Sequence, residues 1–126
     1  MNRALGIDYG DTRIGIALSD PLQIITKPYI TLKNNSNFFL KLESIVNEKE
    51  VKTIVVGYPY GMKGQITKQT EKVDLFIDRL KQNFDIDVIK VDERLSSKSA
   101  ENLLKHIKLF SEQFKIEEFF NISALA

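Results

Sequence analysis

The chain has 126 residues, of which 43% are hydrophobic, including eight Phe and four Tyr. This length is near the commonest size of a single domain, and so many apolar side chains are enough for one sizeable core. No stretch approaches the roughly 20 apolar residues of a transmembrane helix, and the start of the chain passes into a strand pattern without the apolar core of a signal peptide. We therefore expect one cytoplasmic domain over residues 1–126.

The charges nearly balance, with 18 Lys and Arg against 17 Asp and Glu, so the net charge of +1 does not by itself indicate a nucleic-acid partner. The absence of cysteine excludes disulfides and thiolate metal sites, and one histidine, His106, cannot build a histidine-rich zinc site. Any metal must therefore be held by oxygen ligands, which favours magnesium or manganese.

The N-terminal part of the sequence predicts three strands. The apolar run "RALGIDY" is followed by a turn at Gly10–Thr12 and by "RIGIALS", which alternates apolar side chains with polar or small ones, so the two runs predict a hairpin. A third run, "PYITL", begins with Pro28, which suits an edge strand.

Helices and strands alternate in the rest of the chain. After the turn signal "KNNS", apolar residues at helical spacing predict a helix. The run "KTIVVG" predicts a strand buried on both faces. A second apolar stripe, from Val73 to Phe84, predicts another helix. A strand "IDVIKVD" follows, then a helix from the N-cap candidate Ser97 and a helical tail over 111–126. The order β-β-β-α-β-α-β-α predicts an α/β fold of the ribonuclease H-like kind, a mixed five-stranded sheet with a central first strand and helices on both faces.

Four stretches carry a resemblance to a known family: "GIDYGDTRIGIALSDP", "IVVGYPYGMKG", "VDERLSSKSA" and, more weakly, "FFNISALA". In this order they resemble the YqgF-type family, whose members are known as pre-16S rRNA nucleases and Holliday-junction-resolvase-like proteins. A GxDxG motif alone would be weak, because sugar kinases and actin-like ATPases hold phosphate with a similar strand and turn. An actin-like ATPase also needs two comparable domains, and this chain has room for one.

Asp8 is an acidic residue in an apolar strand, where burial of a carboxylate is costly. It alternates with Ala4 and Gly6, whose small side chains leave space for an ion or a phosphate. The resemblance implies that Asp8 is a catalytic metal ligand, and a divalent cation would offset the cost of desolvating its carboxylate. The alternative is an aspartate satisfied by backbone amides of the turn at Gly10.

A second acid is expected at the end of the last strand, where Asp92 and Glu93 are consecutive. Successive strand residues point to opposite faces, so one of the two can face Asp8 across an intervening strand, a gap of roughly 10 Å. Glutamate reaches further than aspartate, and Gly57 at the end of the intervening strand does not block it. We therefore favour Glu93 over Asp92. The other acid would place its negative charge at a helix N-terminus or would pair with Arg94.

A third acid is missing from its expected place. Two-metal phosphodiester hydrolysis normally uses three or four carboxylates, and the family's C-terminal motif is an aspartate followed by small residues, where this chain has Asn121. An amide oxygen can coordinate a cation but adds no negative charge. Glu117 or Glu118 could complete the ligand shell, although the favoured interpretation is that both are surface acids.

Several residues are expected to contact nucleic acid. Arg13, Arg94 and Ser96 match residues that recur in the family's motifs, and an arginine can donate two hydrogen bonds to one phosphate. Lys63 and Lys68 lie in or beside the Gly-containing loop after "IVVG", where a nucleic-acid backbone could lie against amides. The alternatives are an ion pair for Arg94 and a solvated loop for the lysines.

Two tyrosines of this loop region also admit two interpretations. Tyr58 and Tyr60 could stack on exposed bases, or they could serve only in packing.

The resemblance implies a nuclease, dependent on Mg²⁺ or Mn²⁺, that acts in 5′-end processing of pre-16S rRNA during ribosome biogenesis. The implied partners are nucleic acid, with precursor rRNA favoured over branched DNA, and ribosomal precursor particles, with no membrane. The alternatives are a resolvase-like nuclease acting on branched DNA and a non-catalytic RNA-binding assembly factor, which the asparagine at position 121 suggests.

Overall fold

The computed structural model describes residues 3–21 and 26–92. Their elements, in chain order, are β1 (Arg3–Asp8), β2 (Arg13–Ser19), β3 (Thr26–Lys33), α1 (Phe38–Glu48), β4 (Val51–Tyr58), α2 (Lys68–Asn83) and β5 (Asp87–Asp92). This order is the one predicted for the chain up to residue 92. The helices predicted from Ser97 onward lie outside the described residues.

One mixed sheet joins the five strands in the order β3-β2-β1-β4-β5. β2 is antiparallel to both β1 and β3, whereas β4 is parallel to β1 and β5. The first strand is therefore central, as predicted. β1, β3, β4 and β5 end at one edge of the sheet, where β2 begins, and we call this edge the carboxyl edge.

The helices α1 and α2 cover the same face of the sheet, which we call the helical face. Their apolar stripes join one hydrophobic cluster with alternate strand residues such as Leu5, Ile7 and Val56, and the rings of Phe38 and Phe76 lie 5.6 Å apart. The predicted helices of the other face fall beyond residue 92. None of the helices described here is long and apolar enough to cross a membrane.

The opposite face carries Asp8, and we call it the Asp8 face. Its other residues on the central strands are small or β-branched, and Ala4, Ala17 and Val55 are buried there. β4 is thus buried on both faces, which agrees with the nearly all-apolar run that predicted it.

Two local features fix the segments at the carboxyl edge. A Cβ built at Gly10 would collide with the carbonyl oxygen of Arg13, so the hairpin turn requires glycine there. At the start of α2, Thr67 and Thr70 form a capping box in which each hydroxyl accepts a hydrogen bond from the other residue's backbone N–H, at 3.2 and 3.1 Å.

Candidate functional site

Asp8 is the last residue of β1 and is half-buried at the carboxyl edge. Its cross-strand partner on β2 is Gly15, where a built Cβ would lie 3.8 Å from the Cβ of Asp8. On the other side Ile7 pairs with Val56, so the parallel register continued by one residue brings Gly57 beside Asp8. Because glycine occupies both flanking positions, no cross-strand side chain fills the space beside this carboxylate.

The register of β5 separates the two candidate second acids. Val91 pairs with Gly57 and Asp92 pairs with Tyr58, and paired residues share a face of the sheet. Asp92 therefore belongs to the row of Tyr58 on the helical face, opposite to Asp8. Glu93 itself lies outside the described residues, so its role stays a prediction.

Over residues 3–21 and 26–92, no three His, Cys, Asp or Glu side chains form a group that could hold a metal ion. Asp8 contributes one carboxylate, the donor type that magnesium and manganese prefer. The other predicted ligand candidates, Glu93, Asn121, Glu117 and Glu118, are beyond the described part of the chain. The carboxylate of Asp8 and the glycines that flank it on both neighbouring strands fit a divalent cation, and this part of the chain would supply one of its ligands.

Arg13 lies at the start of β2, two residues before Gly15, and so shares the Asp8 face at the carboxyl edge. It pairs directly across the strands with Lys33, at the end of β3. Both side chains are exposed, and within the described residues neither forms a salt bridge. Two like charges placed opposite each other destabilise a strand pair, and a bound phosphate would relieve this repulsion.

The sequence matches the family described as RuvX: Holliday junction resolvase over residues 2–124. The chain belongs to the RuvX family. This match confirms the resemblance seen in the sequence motifs.

Two relatives extend this finding. The chain is 44% identical over 106 residues to a protein of Endomicrobium trichonymphae named "Putative pre-16S rRNA nuclease", covering 82% of this chain and 76% of the relative. It is 47% identical over 102 residues to a protein of the same name from Acetivibrio thermocellus, covering 78% and 72%.

The fold is similar to that of T. thermophilus RuvC in complex with Holliday junction substrate, with a TM-score of 0.52 and 9% sequence identity. The match covers 73% of this chain and 65% of the RuvC chain. Together with the strand order it confirms the predicted ribonuclease H-like fold, and at this identity it concerns the fold alone.

In this RuvX chain, the loop after β4 carries the predicted basic residues. Lys63 and Lys68 are both exposed, at the tip of the loop and at the start of α2. A third lysine, Lys72, forms an ion pair of 3.2 Å with Asp11, which ties the hairpin turn to α2. The loop and the turn therefore meet the same edge of the sheet as Asp8.

Tyr58 is not available for base stacking, so that interpretation is wrong for this residue and the packing alternative holds. Strand alternation places Tyr58 on the helical face, where it is 5% exposed, and its hydroxyl donates a hydrogen bond of 2.8 Å to Oδ2 of Asp74. Burial, and then the hydrogen bond to this carboxylate, raise the pKa of Tyr58 to about 12. Tyr60 packs edge-on against it, with ring centroids 4.7 Å apart.

Lys33 is a candidate site residue that sequence reasoning missed. The pattern predicts that "PYITL" is a strand but not how it pairs, since β3 slips by one residue relative to β2 between Ile16 and Ala17. A position directly opposite Arg13 is therefore visible only from the register. Arg94 and Ser96, the remaining predicted contacts, lie outside the described residues.

Proposed function

We propose that this chain is a metal-dependent nuclease that hydrolyses phosphodiester bonds, and that its substrate is the 5′ region of precursor 16S rRNA. The observation that carries this proposal is the position of Asp8 at the carboxyl edge, with glycine on both neighbouring strands and cations on the same face. The names of the relatives support the substrate, and the family supports the reaction. An enzyme with this substrate works in the cytoplasm.

In this proposal Asp8 and Glu93 would hold Mg²⁺ or Mn²⁺, with Asn121 completing the ligand shell through its amide oxygen. The bound metal would supply an activated water molecule and stabilise the charge that develops on the phosphate. Arg13 and Lys33 would hold the phosphodiester by donating hydrogen bonds to its oxygens. Arg94, Ser96, Lys63 and Lys68 would contact the flanking backbone.

The test is a cleavage assay with the full chain on two substrates, an RNA that contains the 5′ precursor region of 16S rRNA and a four-way DNA junction. We expect cleavage of the RNA in Mg²⁺ or Mn²⁺, none in EDTA, and a loss of at least about 100-fold in Asp8→Asn. Asp78→Asn, which changes an exposed acid of α2, is the matched control and should keep full activity. Undiminished cleavage by Asp8→Asn would contradict the proposal.

The second candidate function is a non-catalytic RNA-binding assembly factor. It is favoured by Asn121, which by the resemblance to the family motif would take the place of an acid and so would remove one negative charge from the site. RNA binding that persists in EDTA, with no cleavage of RNA or junction DNA in any divalent metal, would support this function over the nuclease.

A further inference from the structure

The loop between β4 and α2 displays an apolar side chain almost entirely to solvent. Met62 is 95% exposed, and Ile66, four residues later, is 54% exposed. Single exposed apolar residues are common on protein surfaces, so exposure alone does not indicate a role. The structure of the loop and its position at the sheet edge indicate a role.

Hydrogen bonds within the loop hold its tip in a closed turn. The N–H of Gly61 donates to the carbonyl of Gln65 and the N–H of Gly64 donates to the carbonyl of Gly61, both at 2.8 Å. The N–H of Lys63 donates to Oε1 of Gln65 at 2.9 Å. Gly64 has a φ of 81°, which favours glycine over any other residue. The turn therefore presents Met62 outward in a defined geometry.

The base of the loop is also fixed. The hydroxyl of Thr70, in the first turn of α2, donates a hydrogen bond to the carbonyl of Pro59 at the start of the loop. The loop leaves β4 immediately after Gly57 and Tyr58, and so it rises from the same sheet edge as Asp8.

The charge of this segment suits a polyanion. Residues 59–70 contain no acidic side chain, whereas Lys63 and Lys68 are both exposed. An exposed apolar side chain in the same loop region as these cations, at the sheet edge that carries Asp8, complements a nucleic acid, which offers phosphates on the outside and apolar base faces within the stack. A protein partner would not require this segment to lack acidic residues.

We infer that Met62 is a wedge that inserts between neighbouring bases of the nucleic-acid substrate while Lys63 and Lys68 contact the flanking phosphates. Apolar side chains inserted at a base step unstack it and kink the duplex. Unstacking costs least where pairing is already interrupted, so the wedge selects branch points and the ends of stems. This inference rests on the proposed function for its substrate class.

The experiment measures base unstacking separately from cleavage. The four-way DNA junction and the precursor RNA are prepared with 2-aminopurine at the branch point or stem end, and its fluorescence is recorded on titration with the Asp8→Asn protein. We expect a rise in fluorescence that is lost in Asp8→Asn with Met62→Ala and kept with Met62→Leu. Met62→Ala should also weaken binding at least about fivefold, whereas Leu40→Ala, which changes a 67% exposed side chain of α1, should not.

The outcomes distinguish the inference from the function on which it rests. Fluorescence that rises equally with Met62→Ala, or that never rises although the substrate binds, overturns the wedge. Absence of cleavage by the unaltered chain overturns the nuclease proposal, but the fluorescence result can still be interpreted, because it measures unstacking and not cleavage. Loss of the signal in Leu40→Ala as well would show a general loss of binding and would also contradict the wedge.

Discussion

Asp8 is flanked on its two neighbouring strands by Gly15 and Gly57, which have no side chains. The sequence predicts the position of Asp8 in the central strand. It does not predict that Gly15 lies beside Asp8, because that depends on the register between the strands. A one-residue slip would move Gly15 to the other face of the sheet.

A substitution at Gly15 tests whether this space is used. Gly15→Val places two methyl groups beside the carboxylate, since the Cβ of residue 15 would already lie 3.8 Å from that of Asp8. We expect nuclease activity to fall at least about tenfold with the melting temperature nearly unchanged, because valine suits a strand. Gly15→Ala, with one carbon, should lose less. Full activity in Gly15→Val would show that nothing binds in this space.

The pair of Arg13 and Lys33 leads to two effects of opposite sign. Lys33→Gln removes a like charge directly opposite Arg13, so it should raise the free energy of unfolding by about 0.2–0.5 kcal/mol. It should also weaken nucleic-acid binding and lower the slope of log K against log salt by about one. Urea unfolding and binding titrations at several salt concentrations measure the two effects. An unchanged salt slope would remove Lys33 from the interface.

At the level of elements, the end of β4 is joined to α2 by the hydrogen bond from Tyr58 to Asp74. Lys90 of β5 lies 4.6 Å from the centre of the Tyr58 ring and 3.9 Å from Asp74. The sequence predicts both elements and the apolar stripe of α2, which begins at Val73. It does not predict the helix start at Lys68 with equal clarity, because the capping pair Thr67 and Thr70 precedes the stripe.

This junction predicts a loss of stability at alkaline pH. The pKa of Tyr58 is raised from 10.0 to about 12 in the folded chain. Below pH 10 the hydroxyl is protonated in both states; between these two values the unfolded chain loses the proton and the folded chain keeps it. The free energy of unfolding therefore falls as pH rises through this window.

Replacing the hydroxyl tests that assignment. Tyr58→Phe should be less stable than the unaltered chain near neutral pH, because Asp74 loses a hydrogen-bond donor, and the difference should shrink as the pH approaches 12. Urea unfolding over this pH range measures it. Tyr29→Phe, at a 44% exposed tyrosine, is the control for the removal of a tyrosine hydroxyl as such. A Tyr58→Phe difference that stays constant with pH would contradict the assigned cause.

For the whole molecule, hydrophobic periodicity was sufficient to predict the element order through β5, and the agreement of this order with the ribonuclease H-like fold then implied a central first strand. The same patterns could not resolve Asp92 from Glu93, because the choice depends on which face each residue occupies. The strand register places Asp92 on the helical face, because Asp92 pairs with Tyr58. The predicted third ligand, Asn121, lies beyond residue 92 and stays a prediction.

The central claim is that acids from distant parts of the chain bind one divalent cation on the Asp8 face. A crystal of the full chain soaked in Mn²⁺ and measured at the manganese absorption edge tests it directly. The account predicts an anomalous peak within coordination distance of the carboxylates of Asp8 and Glu93. A peak that avoids Asp8, or one coordinated by Asp92 on the helical face, would contradict it.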